Sequence, residues 1–260
     1  MIPNGHLQLP TQHALPASVR RSQKSSKNTP EVIALENKNW LIHYHYTRRE
    51  FGICSILIKE ELRKSNDMNE YVNYIQGVIL RHEGKIQESL EYFQKCHALN
   101  PRGVDNIKQV AKSLFLLGRQ KLSLEAFNEA KTVALTPEWD IYHNLGVCCI
   151  AVEDITKAKE YLRQAVQLNR QDNSFEALAN IHLLQNDVKA AVDIYNAALD
   201  ISPDNVDLAA ALGLLYMKIG EHQKAFEKFG SALARDPQSS KALLALGAMM
   251  QVFLNSHELS

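Results

Sequence analysis

Val206–Pro237, VDLAAALGLLYMKIGEHQKAFEKFGSALARDP, decides the fold. Apolar residues recur through it at helical spacing, interrupted at Gly220 and closed at Pro237. Glycine is the residue that ends a helix most readily in the left-handed conformation, and proline cannot continue one. The stretch therefore reads as two helices of similar length joined by a short turn. Gly213 on the first and Ala225 on the second are small, as the contact face of a tight helix pair requires. Nothing in this pattern carries chemistry; it specifies packing.

Working outward, the same marks recur with a period of 34 residues. Pro101 and Pro237 are 136 residues apart, four times 34. Gly84, Gly118 and Gly220 form one series on that period, and Gly77, Gly213 and Gly247 form a second. A third consists of Phe93, Phe127, Tyr195 and Phe229, each followed three residues later by Cys96, Ala130, Ala198 or Ala232. A fixed period of this length is the signature of a stacked helical array. The units are expected at 70–103, 104–138, 139–171, 172–205 and 206–239, each with a first and a second helix. The third carries a one-residue slip: Asn144-Leu145-Gly146, Ala158, Leu162 and Ala165 keep the pattern, and Arg170 replaces the closing proline. Residues 31–69 have the right length and apolar content (Trp40, Leu41, Phe51, Leu57, Leu62) without the small-residue marks, and read as a degenerate pair. Residues 240–260 begin a sixth unit with Leu243, Leu246 and Gly247 and stop before its second helix.

These residues resemble the tetratricopeptide repeat, a helix-turn-helix unit of the same period. The resemblance implies an all-α fold, a right-handed superhelical solenoid whose first helices line a groove. Several words go beyond what packing demands: Asn39-Trp40-Leu41-Ile42-His43, Gly84–Leu90, Val110–Gly118, His143–Cys148 and Met249-Met250-Gln251. Together they resemble the tetratricopeptide subunit family of the BBSome over residues 31–251, with VFLNSHELS after Gln251 departing from it, as in a chain shortened at its carboxyl side. That resemblance implies a non-enzymatic scaffold in the trafficking of membrane-protein cargo to the primary cilium. Its implied partners are proteins, namely other BBSome subunits and centriolar-satellite proteins. Its implied places are the cytoplasm, centriolar satellites, the ciliary basal body and the cilium.

Composition agrees with a packed, non-membrane chain. Of the 260 residues 45% are hydrophobic, and the longest apolar run, Ala209–Met217, is about half of the ~18 residues that a membrane-spanning helix needs. Residues 1–30 hold Pro3, Pro10, Pro16 and Pro30 and four basic residues, with no acid and no Phe, Trp or Tyr; such an arm is expected to be disordered. It has no apolar core of a secretory signal. The 29 Lys and Arg balance the 29 Asp and Glu over the whole chain, so no field draws in nucleic acid. Cys54, Cys96, Cys148 and Cys149 contain no CxxC spacing and read as reduced core thiols of a cytosolic protein.

The search for chemistry yields little. His43 and His45 lack a third metal ligand, and Cys148-Cys149 lacks a resolving partner or base. No phosphate loop, HExxH or GxSxG is present, so neither catalysis nor a cofactor is expected. The groove positions of the first helices carry Lys108, Lys112, Lys218 and Lys241 against Asp105, Asp140, Glu176 and Asp207, a mixed field unlike that of a helical-repeat RNA reader. The resemblance also allows a test for the carboxylate clamp of co-chaperones. Lys108 and Asn144 match it, but Lys112, Asn173 and Ala177 stand where asparagine, lysine and arginine are needed. A co-chaperone adaptor is thereby disfavoured, and a substrate-selecting arm of a larger enzyme would need a catalytic domain. Lys108, Lys112, Asn144 and Asn180 remain as candidate donors and acceptors for an extended partner. On this reading Gly213→Leu damages the fold more than any groove change, and Lys108→Ala leaves the melting temperature nearly unchanged.

Overall fold

The computed structural model describes residues 29–258, with side-chain surroundings over 38–251. The expectation of a disordered arm falls on residues outside that range, except that Thr29 and Pro30 open a helix. Among the described residues the secondary structure is all helical, and no helix is long and apolar enough to cross a membrane. The helices are α1 (Thr29–Thr47), α2 (Phe51–Ser65), α3 (Glu70–His82), α4 (Ile86–Leu99), α5 (Val104–Leu116), α6 (Gln120–Val133) and α7 (Trp139–Ala151). They continue with α8 (Ile155–Leu168), α9 (Asp172–Leu184), α10 (Val188–Ile201), α11 (Val206–Lys218), α12 (His222–Arg235) and α13 (Ser240–Glu258). The chain divides into two compact units, Met1–Leu57 and Ile58–Ser260, so the boundary falls inside α2.

In the first unit Ile42 and Cys54 are fully buried, and the Cys54 thiol reaches the Ile42 carbonyl at 3.6 Å. Trp40, counted from sequence among the apolar residues of this pair, is 62% exposed. The turn Arg48-Arg49-Glu50 is closed by side chains: His45 Nδ1 meets Glu50 Oε2 at 2.6 Å and Arg48 Nε donates to Glu50 Oε1 at 2.8 Å. His45 is thus engaged in a turn rather than in a histidine pair.

The second unit is a solenoid of helix pairs. From α3 to α12 every odd-numbered helix has 13 residues and every even-numbered one 14. Within each pair the helices meet through a small residue on the first and a large one on the second. A Cβ placed on Gly77 would lie 2.9 Å from the Phe93 ring, on Gly146 2.5 Å from Leu162, and on Gly213 2.5 Å from Phe229. Real Cβ atoms do not approach that closely, so glycine is required for the large side chain to be fully buried, a gain of about 1.5–3 kcal/mol per side chain. Beside that contact the second helix carries Ala158, Ala191 or Ala225, all fully buried, while Ser89 and Ser123 occupy the same register in the first two pairs. There the hydroxyl donates across the pair, Ser89 to Gly77 O at 2.7 Å and Ser123 to Ala111 O at 2.8 Å.

Each pair turns through three residues whose middle one has positive φ. Gly84, Gly118 and Gly220 do so at φ 81°, 75° and 84°, while Glu153 and Asn186 occupy the same place at 64° and 60°. Asn69, Asp154, Asp187 and Asn205 cap the helices that follow them by accepting the backbone N–H three residues on, which satisfies an otherwise orphaned donor.

Successive pairs are joined by links of unequal length, which locates the slip in the repeat. Three of the four-residue links close as a turn with proline second: Gly103 N–H donates to Asn100 O, Asn205 to Ser202 O and Ser239 to Asp236 O, each at 3.1 Å. Between α6 and α7 the link has five residues, Ala134–Glu138, and between α8 and α9 only three, Asn169–Arg170–Gln171. Carboxylates at the start of first helices tie neighbouring pairs together. Glu70 accepts from Asn106 (2.6 Å) and Asn100 (3.2 Å), and Asp172 accepts from Ser202 and Asn205, both at 2.8 Å. On α13 Ala242, Ala245 and Met249 are buried, Leu243 and Met250 are half exposed, and a Cβ on Gly247 would meet open space.

Candidate protein-binding groove

The first helices also contact one another directly, α7 with α9 and α11 with α13, and so form one layer of the solenoid. The groove is built on that layer, and a formed part of it lies across α3, α5 and α7. A pocket of about 300 Å³ opens there, walled by Phe115, Leu116, Phe127, Val147 and Cys148 and edged by Arg81, Lys112, His143 and Asn144. Leu116 is 57% exposed and stands at its mouth. Arg81 lies over the Phe93 ring at 5.2 Å, which steadies the guanidinium at the pocket edge. An apolar pocket with a few convergent polar groups is suited to seat a side chain of a partner and to orient its backbone.

Three of the four residues singled out from the sequence come together around a fourth that was not. Lys112 Nζ meets Asp140 Oδ2 at 3.1 Å, and Asn144 Nδ2 donates to Asp140 O (2.6 Å) and to its Oδ1 (2.9 Å). Lys108 Nζ meets Asp105 Oδ1 and Glu138 Oε2, both at 2.8 Å, and Asp140 Oδ2 at 3.9 Å. Asn180 is exposed on α9, outside this network.

The surroundings of Lys108 correct one expectation. It is only 9% exposed, and its ammonium is already committed to three carboxylates. Burial alone would lower its pKa, but the hydrogen bonds and charges of Asp105 and Glu138 outweigh that and raise it. Lys108 is therefore a tie between the second and third helix pairs rather than a solvated groove side chain. Asp140 and Glu138 were missed as its partners. The available signal was lysines on one first helix with acids at the start of the next. His143, opposite, has its imidazole pKa lowered chiefly by burial, and its Nδ1 lies 3.0 Å from Ser174 Oγ.

The cysteines are buried, and of them only Cys148 reaches the wall of the pocket. Cys96, Cys148 and Cys149 are each at most 1% exposed, and burial pushes the Cys96 thiol up to about 12 and that of Cys149 up to about 11. Such thiols are protonated near neutrality and are poor nucleophiles. Cys148 Sγ instead meets Ser123 Oγ at 3.3 Å across α6 and α7.

With paired helices, a 34-residue period and a first-helix groove in place, comparison with known proteins is decisive. The tetratricopeptide repeat model matches residues 140–172 and 208–241, and a TPR repeat model matches 179–220. The chain carries tetratricopeptide repeats. Among solved structures, this tetratricopeptide fold is similar to PilW, a type IV pilus biogenesis factor, with a TM-score of 0.72, 19% identity and coverage of 82% of this chain and 98% of that one. It is also similar to pilF of Pseudomonas aeruginosa, with a TM-score of 0.68, 17% identity and coverage of 84% and 99%. Those identities bear on the fold alone. Sequence relatives are much nearer. The BBSome complex member BBS4 of Bos taurus is 45% identical over 237 residues, covering 91% of this chain and 46% of the relative. The mouse protein of the same name is 46% identical over 91% of this chain and 45% of its own length, and the Drosophila melanogaster homolog is 32% identical. The chain spans less than half the length of these relatives.

Proposed function

We propose that this tetratricopeptide chain is a non-enzymatic scaffold that works as a BBSome subunit, holding protein partners in the first-helix groove. The observation that carries the reading is 45% identity over 91% of the chain to a named BBSome member. On this reading the chain takes part in ciliogenesis and in carrying membrane-protein cargo to the primary cilium. It is found in the cytoplasm, at centriolar satellites, at the basal body and in the cilium. The five pairs at 70–103, 104–138, 139–171, 172–205 and 206–239 act as the binding array, flanked by 31–69 and 240–260.

Within the groove, the pocket edged by Lys112 and Asn144 seats an apolar anchor of the partner, and Asn180 hydrogen-bonds further along it. Lys108 contributes by fixing the carboxylates behind them. The proposal is tested by pull-down of the tagged full chain from ciliated cells with mass spectrometry, beside Leu116→Asp. Leu116 is exposed, so its replacement leaves the fold intact and puts a charge at the pocket mouth. Recovery of other BBSome subunits with the unaltered chain, and their loss with Leu116→Asp, is the expected result. Absence of those subunits overturns the assignment, and equal recovery by both chains moves the binding site off the pocket.

A further inference from the structure

The sequence contains Thr136-Pro137 and Ser202-Pro203 in links between helix pairs, each a hydroxyl followed by proline. Protein kinases of the proline-directed class require that pair of residues, an accessible hydroxyl and a backbone free to lie extended in their cleft. The structure separates the two. Ser202 begins a closed four-residue turn, accepting from Asn205 N–H at 3.1 Å, and its hydroxyl is donated to Asp172 Oδ1 at 2.8 Å. Asp172 also holds Asn205, so freeing Ser202 would dismantle the tie between two helix pairs.

Thr136 lies in the one five-residue link among the described residues, and the additional residue abolishes the turn. The residue before proline in the three closed links caps the second helix, whereas here Ala134 does, in extended conformation at φ −62° and ψ 127°. Thr136 is thereby set two residues beyond the cap, and proline holds the residue before it in the extended region. Glu138 is extended too, at φ −108° and ψ 123°. Neither Leu135 nor Thr136 makes a backbone–backbone hydrogen bond, and the Thr136 hydroxyl has no partner among the described residues. Thr136 and Pro137 are exposed, and Leu135 is 101% exposed. An apolar residue fully in water immediately before the acceptor gives a kinase cleft something to hold. The same link borders a concavity lined by Lys131, Thr136, Glu138 and Tyr142, with Lys131 Nζ 5.1 Å from the Tyr161 ring.

We propose that Thr136 is a phosphorylation site for a proline-directed protein kinase. In the reaction Thr136 Oγ1 attacks the γ-phosphorus of a nucleoside triphosphate. The bond from that phosphorus to its bridging oxygen breaks, the nucleoside diphosphate leaves, and the hydroxyl proton passes to the kinase's catalytic carboxylate. The product carries a charge of about −1.5 to −2 at this link. It stands two residues from Glu138, the carboxylate that holds Lys108, and shares its concavity with the Lys131 ammonium. The modification thus places a charge switch on the wall between the second and third helix pairs.

The test incubates the full chain, folded, with magnesium–ATP and a kinase that requires only proline after the acceptor. Intact mass and peptide mapping then locate the phosphate. A thermally unfolded sample and the synthetic peptide 130–142 are run in parallel. Expected are phosphate on Thr136 and none on Ser202 in the folded chain, phosphate on both after unfolding, and loss of the Thr136 product in Thr136→Val and Pro137→Ala. Thr29-Pro30 is a further such pair in the sequence, and mapping distinguishes its product. Phosphate on the peptide but not on folded Thr136 overturns the proposal, because the link would then be closed to a kinase. Equal labelling of Ser202 and Thr136 in the folded chain also overturns it, because the geometric distinction would have no effect.

Discussion

Gly213 and Phe229 approach so closely that a methyl group on the glycine would stand 2.5 Å from the ring. Helix α11 and helix α12 are held at that distance by the absence of a side chain. Gly213→Leu should therefore unfold the pair or force Phe229 out of its site, and even Gly213→Ala should cost about 1–3 kcal/mol through overpacking. Gly77→Ala, where the clearance to Phe93 is 2.9 Å, should cost less. Urea denaturation of the two alanine variants gives the ranking directly, and an unchanged midpoint for Gly213→Ala would refute the close contact.

Removing the ammonium of Lys108 should be felt, contrary to what its groove position suggests. Its partners keep access to water, with side chains 76% exposed at Asp105, 36% at Glu138 and 27% at Asp140, so no carboxylate is left stranded in the core. The loss for Lys108→Ala is then about 1 kcal/mol, at the upper end for an exposed ion pair and well below that of a buried one. Lys108→Met, which keeps the packed stem, should lose less. Thermal melts of the two variants beside the unaltered chain check this; no shift for Lys108→Ala would mean that the network contributes nothing.

At Glu153 a side chain is held at φ 64°, where a Cβ costs about 1–2 kcal/mol and glycine costs nothing. Glycine carries a backbone entropy penalty of roughly 0.5–1 kcal/mol in return. Glu153→Gly should consequently stabilise by about 0.5 kcal/mol, a rise of one or two degrees in melting temperature for a chain of this size. Gly220→Glu, the reverse change at the same place in another pair, should lower it. Calorimetry on both variants is sufficient.

Burial holds the His143 imidazole below the usual histidine value, while Asp140 raises it and Lys112 lowers it by less. The unfolded chain then takes up a proton at a higher pH than the folded one. The stability owed to neutral His143 is fully present above about pH 6.5 and is lost as the pH falls through the depressed native value. Melting temperature should decline as the pH falls below about 6.5, and His143→Gln should flatten that decline relative to the unaltered chain.

The helix pairing was legible because a small residue and a large one recur on the period: Gly77 with Phe93 and Gly213 with Phe229 are both apparent once the period is known. The left-handed turns were only half legible. Gly84, Gly118 and Gly220 announce them and Asn186 is a weaker signal of the same kind, but Glu153 adopts the same φ with nothing in its residue type to signal it. The groove was read less well. Lys108, Lys112 and Asn144 lie on first helices, but Glu138 at the end of the five-residue link and Asp140 at the start of the next pair engage the two lysines, and Asp140 holds Asn144 from within its own helix. Asp140 looks from sequence like one more charge in a mixed field. Trp40, large and apolar, stays 62% exposed, because at its register Ile42 two residues on is the one that packs.

The paired irregularity of the links, one residue too long after α6 and one too short after α8, sets a limit on reasoning by homology within the molecule itself. Thirty-four residues beyond Phe127 stands Tyr161, yet the side chain seated over the glycine of that pair is Leu162. Over the same interval Ala111 maps by arithmetic onto Leu145, whereas its counterpart is Gly146. A designer who swaps equivalent positions between repeats by counting would put the wrong face inward over one pair only, then find the numbering correct again from α9 onward. The frame is shifted and restored within a single cassette, so that cassette can be exchanged only together with both of its links.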